Sequence, residues 1–391
     1  MNNKVVIVGA KRTPIGSFQG QFATVSAAEL GAAAIRGSLE EAGVDPKAVD
    51  DVLMGCVLPA GIGQAPARIA ARKAGIPTSA GAVTINKACG SAMKTMQIGH
   101  DQILVGSSEI VVAGGMENMT LAPYILPKAR SGYRMGHGEV LDHMFWDGLQ
   151  NPDDQLMMGV FGERCAEKYN FTRDEQDTFA IASIERAQKA MESQFKDEIT
   201  PVTVKNRHGE TVISEDQEPP TCNIGKIPSL RAAFKKDGTV TAASSSKISD
   251  GAAATVLMSA AKAAELGIQP LATIVAHSTF SQDPEWFTTA PIGAIQKVLD
   301  KAGWSIDEVD LFEVNEAFAT VTMAAMHELK IDHAKMNVNG GACALGHPIG
   351  ASGARIVVTL INALRQRGLK KGVAALCIGG GEATALAIEL P

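Results

Sequence analysis

The feature that most constrains the fold is that the chain repeats itself. Leu39-Glu40-Glu41-Ala42-Gly43, followed at Val49-Asp50, returns as Leu299-Asp300-Lys301-Ala302-Gly303, followed at Val309-Asp310, at a constant offset of 260 residues. Each copy reads as an amphipathic helix stopped by a left-handed glycine. A short connection then leads into an apolar strand, Asp51-Val52-Leu53-Met54 or Leu311-Phe312-Glu313-Val314. A second echo pairs Ile110-Val111-Val112-Ala113-Gly114-Gly115-Met116-Glu117 with Leu376-Cys377-Ile378-Gly379-Gly380-Gly381-Glu382, at an offset near 265. On this spacing Cys377 matches Val112, and Asn315 matches Gly55. Helices ending in LxxAG are common, so one echo could be chance; two in the same order favour duplication.

Both copies alternate strand and helix. Continuous apolar runs such as Lys4–Val8 and Ser108–Ala113 suit strands covered on both faces. The pattern predicts an α/β fold with parallel or mixed sheets between helix layers. One half runs over 1–119 and is rejoined at 241–270; the other runs over 271–391. Between them, 120–240 is richer in Pro, Gly, His and charge. It reads as an inserted loop domain, with a helix pair near Gly159–Tyr169 and Asp174–Glu192 and an irregular stretch over Asn206–Phe234.

At 391 residues the chain is long enough for two or three domains, and a net charge of -6 gives no reason to expect nucleic acid as a partner. No apolar run is long enough to span a bilayer. The N-terminal segment Met1–Ala10 is too short in its apolar part for a signal peptide, and Ala387–Pro391 is no peroxisomal address. In a long chain without a secretory signal the six cysteines are not expected to form a disulfide framework, and the lack of a CxxC pair argues against a structural zinc site. The expectation is a reduced, cytoplasmic protein that holds no metal.

Three segments carry reactive side chains. Cys89, in Asn86-Lys87-Ala88-Cys89-Gly90-Ser91-Ala92, precedes a helix start. There the dipole and free N–H groups are expected to lower its thiol pKa and supply thiolate. A packing cysteine would fit the same position. His347 lies in a glycine-rich loop, Gly340-Gly341-Ala342-Cys343-Ala344-Leu345-Gly346-His347-Pro348, where a histidine can take a thiol proton or simply bond to backbone. Cys377 ends an apolar strand before Gly379-Gly380-Gly381, where strand ends place ligands and free N–H groups can hold an oxyanion. Asn315, at the end of another strand, could cap a helix or orient a water. Cys56, Cys165 and Cys222 and the other seven histidines, among them His137, His143, His208 and His327, read as structural.

With these segments in this order, the chain resembles the thiolases over essentially its whole length. The match begins at Lys11-Arg12-Thr13-Pro14-Ile15-Gly16. It continues through Ala113–Glu117, Gly238–Ala242, Asp250–Ala253 and Asn315-Glu316-Ala317-Phe318 to the His347 and Cys377 segments. The resemblance implies a duplicated five-layered αβαβα body with an inserted loop domain. It implies Cys89 as acyl-accepting nucleophile, His347 as its proton acceptor, and Cys377 as acid and base at the α-carbon. Asn315 would hold a water that, with His347, forms one oxyanion hole; the N–H groups of Cys89 and Gly379 would form the other. Ser246 would meet the pantetheine chain of coenzyme A, which is substrate and product rather than cofactor.

There are departures from the family pattern. Ser244 and Lys247 stand where many members have Asn and Gly, Phe287 where many have Met, and Met157 where a biosynthetic subgroup has His. The usual basic contact to coenzyme A near Pro219–Cys222 is missing, which leaves Lys226 and Arg231 as candidates. The resemblance implies a homo-oligomer, and Gly132–Gly136 resembles the loop through which tetrameric members assemble. It implies an acetyl-CoA C-acetyltransferase, with a longer-chain 3-ketoacyl-CoA thiolase as close rival. A decarboxylating ketoacyl synthase would not need Cys377, and a non-catalytic CoA-binding scaffold would need none of the four reactive positions.

Overall fold

The structure, a computed structural model, describes residues 4–207 and 209–391. Met1–Asn3, at the start of the segment weighed as a signal peptide, and His208 lie outside them.

The first half contributes β1 (Val5–Arg12), α1 (Ala27–Ala42), β2 (Asp51–Gly55), α2 (Pro66–Lys73), β3 (Gly81–Ile85), α3 (Ser91–Val105) and β4 (Ile110–Asn118). A long segment carrying α4 (Met158–Tyr169) and α5 (Arg173–Glu192) then intervenes before β5 (Ser249–Ser259). The second half contributes β6 (Ala272–Ser281), α6 (Ala290–Ala302), β7 (Leu311–Val314), α7 (Ala319–Leu329), α8 (Ser352–Arg367), β8 (Lys371–Ile378) and β9 (Glu382–Glu389). The stretch over 206–234 is built mainly of short 3-10 turns, Pro219–Thr221 and Ile224–Ser229, after a β-hairpin.

The strands join in the order β7-β8-β9-β6-β1-β5-β4-β2-β3, with the two residues Gly16–Ser17 added beside β5. The order is nearly symmetric about the β1–β6 pair, as a duplication requires. In each half an antiparallel hairpin-like pair (β4 with β5, β8 with β9) lies beside a parallel neighbour (β2 or β7). α1 and α2 cover the outer face of the first half's strands with an alanine-rich surface. α3 and α8 pack between the two sets of strands, and α6 and α7 cover the second set. The result is five layers, αβαβα. Alanine and glycine dominate because central layers packed on both sides leave little room: a Cβ on Gly115 would sit 1.9 Å from the Gly350 carbonyl oxygen.

Local chemistry ends the repeated helices as the sequence implies. α1 starts in a capping box between Ser26 and Glu29 and stops at Gly43 with φ 64°; α6 stops at Gly303 with φ 69°. The aspartate after each then does the same work. Asp50 Oδ2 accepts the N–H groups of Glu109 and Ile110 at 2.8 and 2.9 Å; Asp310 Oδ2 accepts those of Lys370 and Lys371 at 2.9 and 2.8 Å. This corrects the second echo. Asp51 pairs with Val111, and Leu311 with Gly372, so the later strands are offset by one more residue than the earlier ones and not by five. Cys377 therefore occupies the position of Met116, not Val112; glycine runs of different register made the apparent match.

The intervening segment is anchored by charge. Arg12, fully buried on β1, donates from Nε to Glu198 at 2.6 Å and from both terminal nitrogens to Asp216 at 2.7 and 2.8 Å. Paired charges of this geometry tolerate burial where single ones do not.

Candidate active site

Cys89 stands at the tip of a tight turn that leads into α3. Ala88 takes φ 42°, a strained value for a residue with a side chain. Three contacts hold it: the Ala88 N–H donates to Asn86 Oδ1 at 2.9 Å, the Ser91 hydroxyl donates to the Ala88 carbonyl at 2.7 Å, and the Lys87 N–H donates to Ser91 Oγ at 2.8 Å. The turn packs on β8, for a Cβ on Gly90 would sit 2.3 Å from Ile378 Cδ1. Lys87 also forms an ion pair with Glu382 of β9 at 2.5 Å.

The backbone N–H groups of Cys89 and Gly379 lie near enough to the Cys89 sulfur to favour its charged form. Gly379 is free to do so because the β8–β9 ladder ends at Ile378 and Glu382, and Gly380 and Gly381 turn the chain with φ of 94° and 87°. The expected thiolate is not the resting form, however. Burial raises the thiol to about 11, and the Glu117 carboxylate adds to the rise; the two N–H groups offset only part of it. A helix-end dipole is too weak to outweigh desolvation at this depth.

Cys377 is fully buried near the end of β8. Burial, with the neighbouring Cys89 as the next cause, holds its thiol far above the usual range. Around it lie Phe161, Val240, Phe287, Ala317, Phe318 and Val321.

His347 sits in the loop before α8, where Gly346 takes φ 105° and a Cβ would strike Ser249 Oγ at 1.9 Å. Its ring is oriented by Ser352. The Ser352 hydroxyl donates to the Pro348 carbonyl at 3.0 Å, so its oxygen accepts from His347 Nδ1–H at 2.5 Å. This leaves Nε2 with its lone pair, buried and without a partner among the described residues. Burial first, and Arg355 second, lower the imidazole pKa to about 3, so the ring is neutral.

Asn315 continues β7, its N–H donating to the Ala375 carbonyl at 3.0 Å. Both side-chain polar atoms are buried without a partner among the described residues. A buried amide left free in this way is costly unless it serves a ligand or a water. Its neighbour Glu316 is fixed by Ser183, Asn337 and the Cys343 N–H at 2.7, 2.8 and 3.0 Å.

These segments meet through short contacts. The Gly379 N–H lies near the Cys89 sulfur, and Ile349 packs in the apolar cluster that Cys89 borders. Ser246 donates its N–H to Ala317, while Lys247 accepts the His347 N–H at 3.0 Å, so one short loop joins the Asn315 and His347 segments. Ser246 is thus brought to the site. Lys226 and Arg231 stand exposed along the segment over 224–231, away from the contacts that join the cluster.

Sequence reasoning missed two residues here. Ser352 gave no signal beyond lying five positions after His347. Glu117, read only as part of the repeat, is buried and accepts N–H groups from Val57, Leu58 and Gly350 at 2.9, 3.1 and 2.9 Å. It ties the His347 loop to the first half, and burial raises it to about 7.

Comparison with known proteins agrees with this construction. The thiolase N-terminal domain model matches residues 5–261, and the thiolase C-terminal domain model matches residues 268–390. An acetyl-CoA acetyltransferase of Pseudomonas aeruginosa is 50% identical over 387 residues, 98% of each chain. One of Schizosaccharomyces pombe is 48% identical, covering 100% of this chain and 99% of its own. The crystal structure of the Bacillus anthracis acetyl-CoA acetyltransferase superposes with a TM-score of 0.97 at 44% identity, over 100% of this chain and 99% of that one. The five-layered body, the duplication and full-length matches to both domain models agree: the chain belongs to the thiolase family.

Proposed function

We propose that the protein is an acetyl-CoA C-acetyltransferase, interconverting two acetyl-CoA with acetoacetyl-CoA and coenzyme A through an acyl-Cys89 intermediate. One observation carries the reading. Two protonated thiols are neighbours, with backbone N–H groups near the nucleophilic sulfur, and the loops joined to them carry a neutral imidazole and a buried amide without a partner among the described residues.

That resting state suits thiolysis. Cys89 attacks the ketone carbon of acetoacetyl-CoA as its proton passes to His347 Nε2. The N–H groups of Cys89 and Gly379, or the Nε2–Asn315 side, stabilise the oxygen that gains charge. Carbon–carbon cleavage leaves acetyl-Cys89 and the enolate of acetyl-CoA, and Cys377 protonates that enolate and becomes a thiolate. Incoming coenzyme A gives its thiol proton to Cys377 and attacks acetyl-Cys89. The departing Cys89 sulfur recovers its proton from His347. Every proton is returned, and condensation is the same sequence reversed. Splitting the reaction in this way predicts ping-pong kinetics.

The acetyl substrate is favoured by the ring packing beside Cys377. Phe287 and Phe161 are buried edge to face, with centroids 5.9 Å apart, in the apolar cluster that holds Cys377. The test is the chain-length profile of thiolysis; efficient cleavage of a long-chain 3-ketoacyl-CoA would transfer the assignment to the degradative thiolases. Labelled acetyl trapped on Cys89 would separate catalysis from a CoA-binding scaffold.

The same proposal divides the chain into halves over 1–119 with 241–270 and over 271–391, joined by the loop segment over 120–240. It makes the protein a homotetramer, with a dimer as the minimum. The exposed Tyr133 and Met135, 39% and 92% accessible, support assembly through that loop. Among the described residues no helix is long and apolar enough to cross a membrane, in keeping with a proposed cytoplasmic enzyme. Coenzyme A enters as substrate; Ser246 is the proposed contact, with Lys226 and Arg231 left for its charged end.

A further inference from the structure

Away from the reactive thiols, α3 and β6 bring together His100, Asp101 and His277. His100 Nδ1 and His277 Nε2 each lie 3.0 Å from the same oxygen, Asp101 Oδ1. The rings meet edge to face with centroids 4.9 Å apart, and one ligand atom from each residue falls within 4.8 Å of the others. The imidazoles are mostly buried, at 13% and 19% side-chain exposure, while the aspartate is 57% exposed, so the cluster opens to solvent through its carboxylate.

We propose that this cluster is a binding site for a late first-row divalent cation of the zinc and cobalt class. Two imidazole nitrogens and one carboxylate oxygen form a donor set that prefers such ions to magnesium or calcium. The spacing suits them. Donor atoms about 2.0–2.2 Å from one ion at right-angled to tetrahedral geometry lie roughly 3.0–3.5 Å apart. Both aspartate–histidine separations are already there, and the two ring nitrogens need close only from within 4.8 Å. Binding requires each neutral ring to turn a lone pair toward the ion, a change of tautomer that releases no net proton.

One feature opposes the ion. Lys301 donates to the His277 carbonyl at 2.9 Å and brings a positive charge close. The remaining coordination positions face solvent, where water completes the shell. The ion's role is structural: His100 lies nine residues beyond Ser91 along α3, about 14 Å from the helix start at 1.5 Å per residue. It would fasten the helix that follows Cys89 to the first strand of the second half. Sequence reading could not find the site, because His100 and His277 are 177 positions apart and show no ligand spacing.

Cobalt(II) titration of the full-length protein tests this, since a nitrogen- and oxygen-ligated ion absorbs weakly in the visible range without the near-ultraviolet sulfur charge-transfer band that thiolate binding produces. One saturating equivalent without that band is expected, together with a metal-dependent rise in melting temperature. His277→Gln and Asp101→Asn should each weaken binding at least about tenfold and cancel the rise. Their metal-free melting temperatures check that both variants fold. Absence of saturable binding, a sulfur band, or binding unchanged in both variants would overturn the assignment and leave the cluster as a hydrogen-bonded pair of histidines on one carboxylate.

Discussion

Replacing His347 with asparagine should make the protein less sensitive to acid. The imidazole is held near 3 in the folded chain against an ordinary 6.5. The folded value is depressed, so the unfolded chain binds the proton more readily. The stability associated with the neutral ring is complete above 6.5 and is lost as pH falls from 6.5 toward 3. At pH 7 the difference between the two states is about 0.2 kcal/mol; at pH 5 it is about 2 kcal/mol. Wild type should therefore lose about 2 kcal/mol more than His347→Asn between these pH values.

Buried carboxyls act in the opposite direction, Glu117 and Glu313 most clearly, with Glu198 and Asp250 also raised. Glu117 near 7 and Glu313 near 8 are raised above 4.5, so their contribution improves as pH falls through those values and is lost as pH rises. All are present in wild type and variant, so the comparison isolates the histidine. Urea unfolding followed by far-ultraviolet circular dichroism at pH 7 and pH 5 measures it, with matching m-values as the condition for comparing midpoints. Parallel losses, differing by under about 0.5 kcal/mol, would refute a neutral buried ring. The wild-type rate makes a linked statement. With His347 neutral down to pH 5, thiolysis should show no acid limb near 6.5, and such a limb would place the histidine in water.

Cys377→Ser should stop exchange of the acetyl-CoA α-proton with solvent deuterium, read by NMR, while Cys89 still takes up labelled acetyl; continued exchange would remove Cys377 from the proton path. Asn315→Ala should lower kcat by about 10²–10³-fold without loss of stability, because it deletes two buried polar atoms that have no partner among the described residues; a fall in urea midpoint with an intact rate would make the amide structural. Ser352→Ala leaves the His347 Nδ1–H without its acceptor, which should cost about 1–3 kcal/mol in kcat with KM for acetoacetyl-CoA unchanged; equal losses in both would point to general disorder of the loop. Phe287→Ala should shift the ratio of kcat/KM values toward longer 3-ketoacyl-CoA substrates at a stability cost of about 3–5 kcal/mol, and an unmoved ratio would dissociate this ring from chain length.

Much of the layout was legible because the repeat is carried by short-range chemistry. Helix stops at Gly43 and Gly303, and the aspartates after them that anchor the next strand, are local signals. Register was not legible. Glycine-rich strand ends look alike at several offsets, and only the hydrogen-bond ladder distinguishes Met116 from Val112 as the partner position of Cys377. Residue types marked Cys89, His347, Cys377 and Asn315, but their protonation could not be read from them. A helix start argues for a thiolate, whereas the depth of the turn, which depends on α8, β8 and the His347 loop together, decides for a thiol. Ser352 and Glu117 were invisible for the same reason: their roles exist only once distant loops are packed on them.

The neutrality of the resting site follows from where the duplication places it. Each half alone would expose its strand ends; packed together through α3 and α8, they bury Cys377 fully and Cys89 in part. Burial forbids a standing thiolate–imidazolium pair at low cost, because each ion would be desolvated before it had a substrate to stabilise. On the proposed mechanism charge is then created only when a substrate carbonyl is present, and the donors that would meet it are N–H groups fixed by the backbone of both halves, Cys89 from the first and Gly379 from the second. A more exposed site would give a more reactive cysteine and also one open to any electrophile. In the proposed mechanism the proton moves from Cys89 to His347 as the carbon–sulfur bond forms. Reactivity is thereby coupled to substrate binding by the same desolvation that raises both thiols.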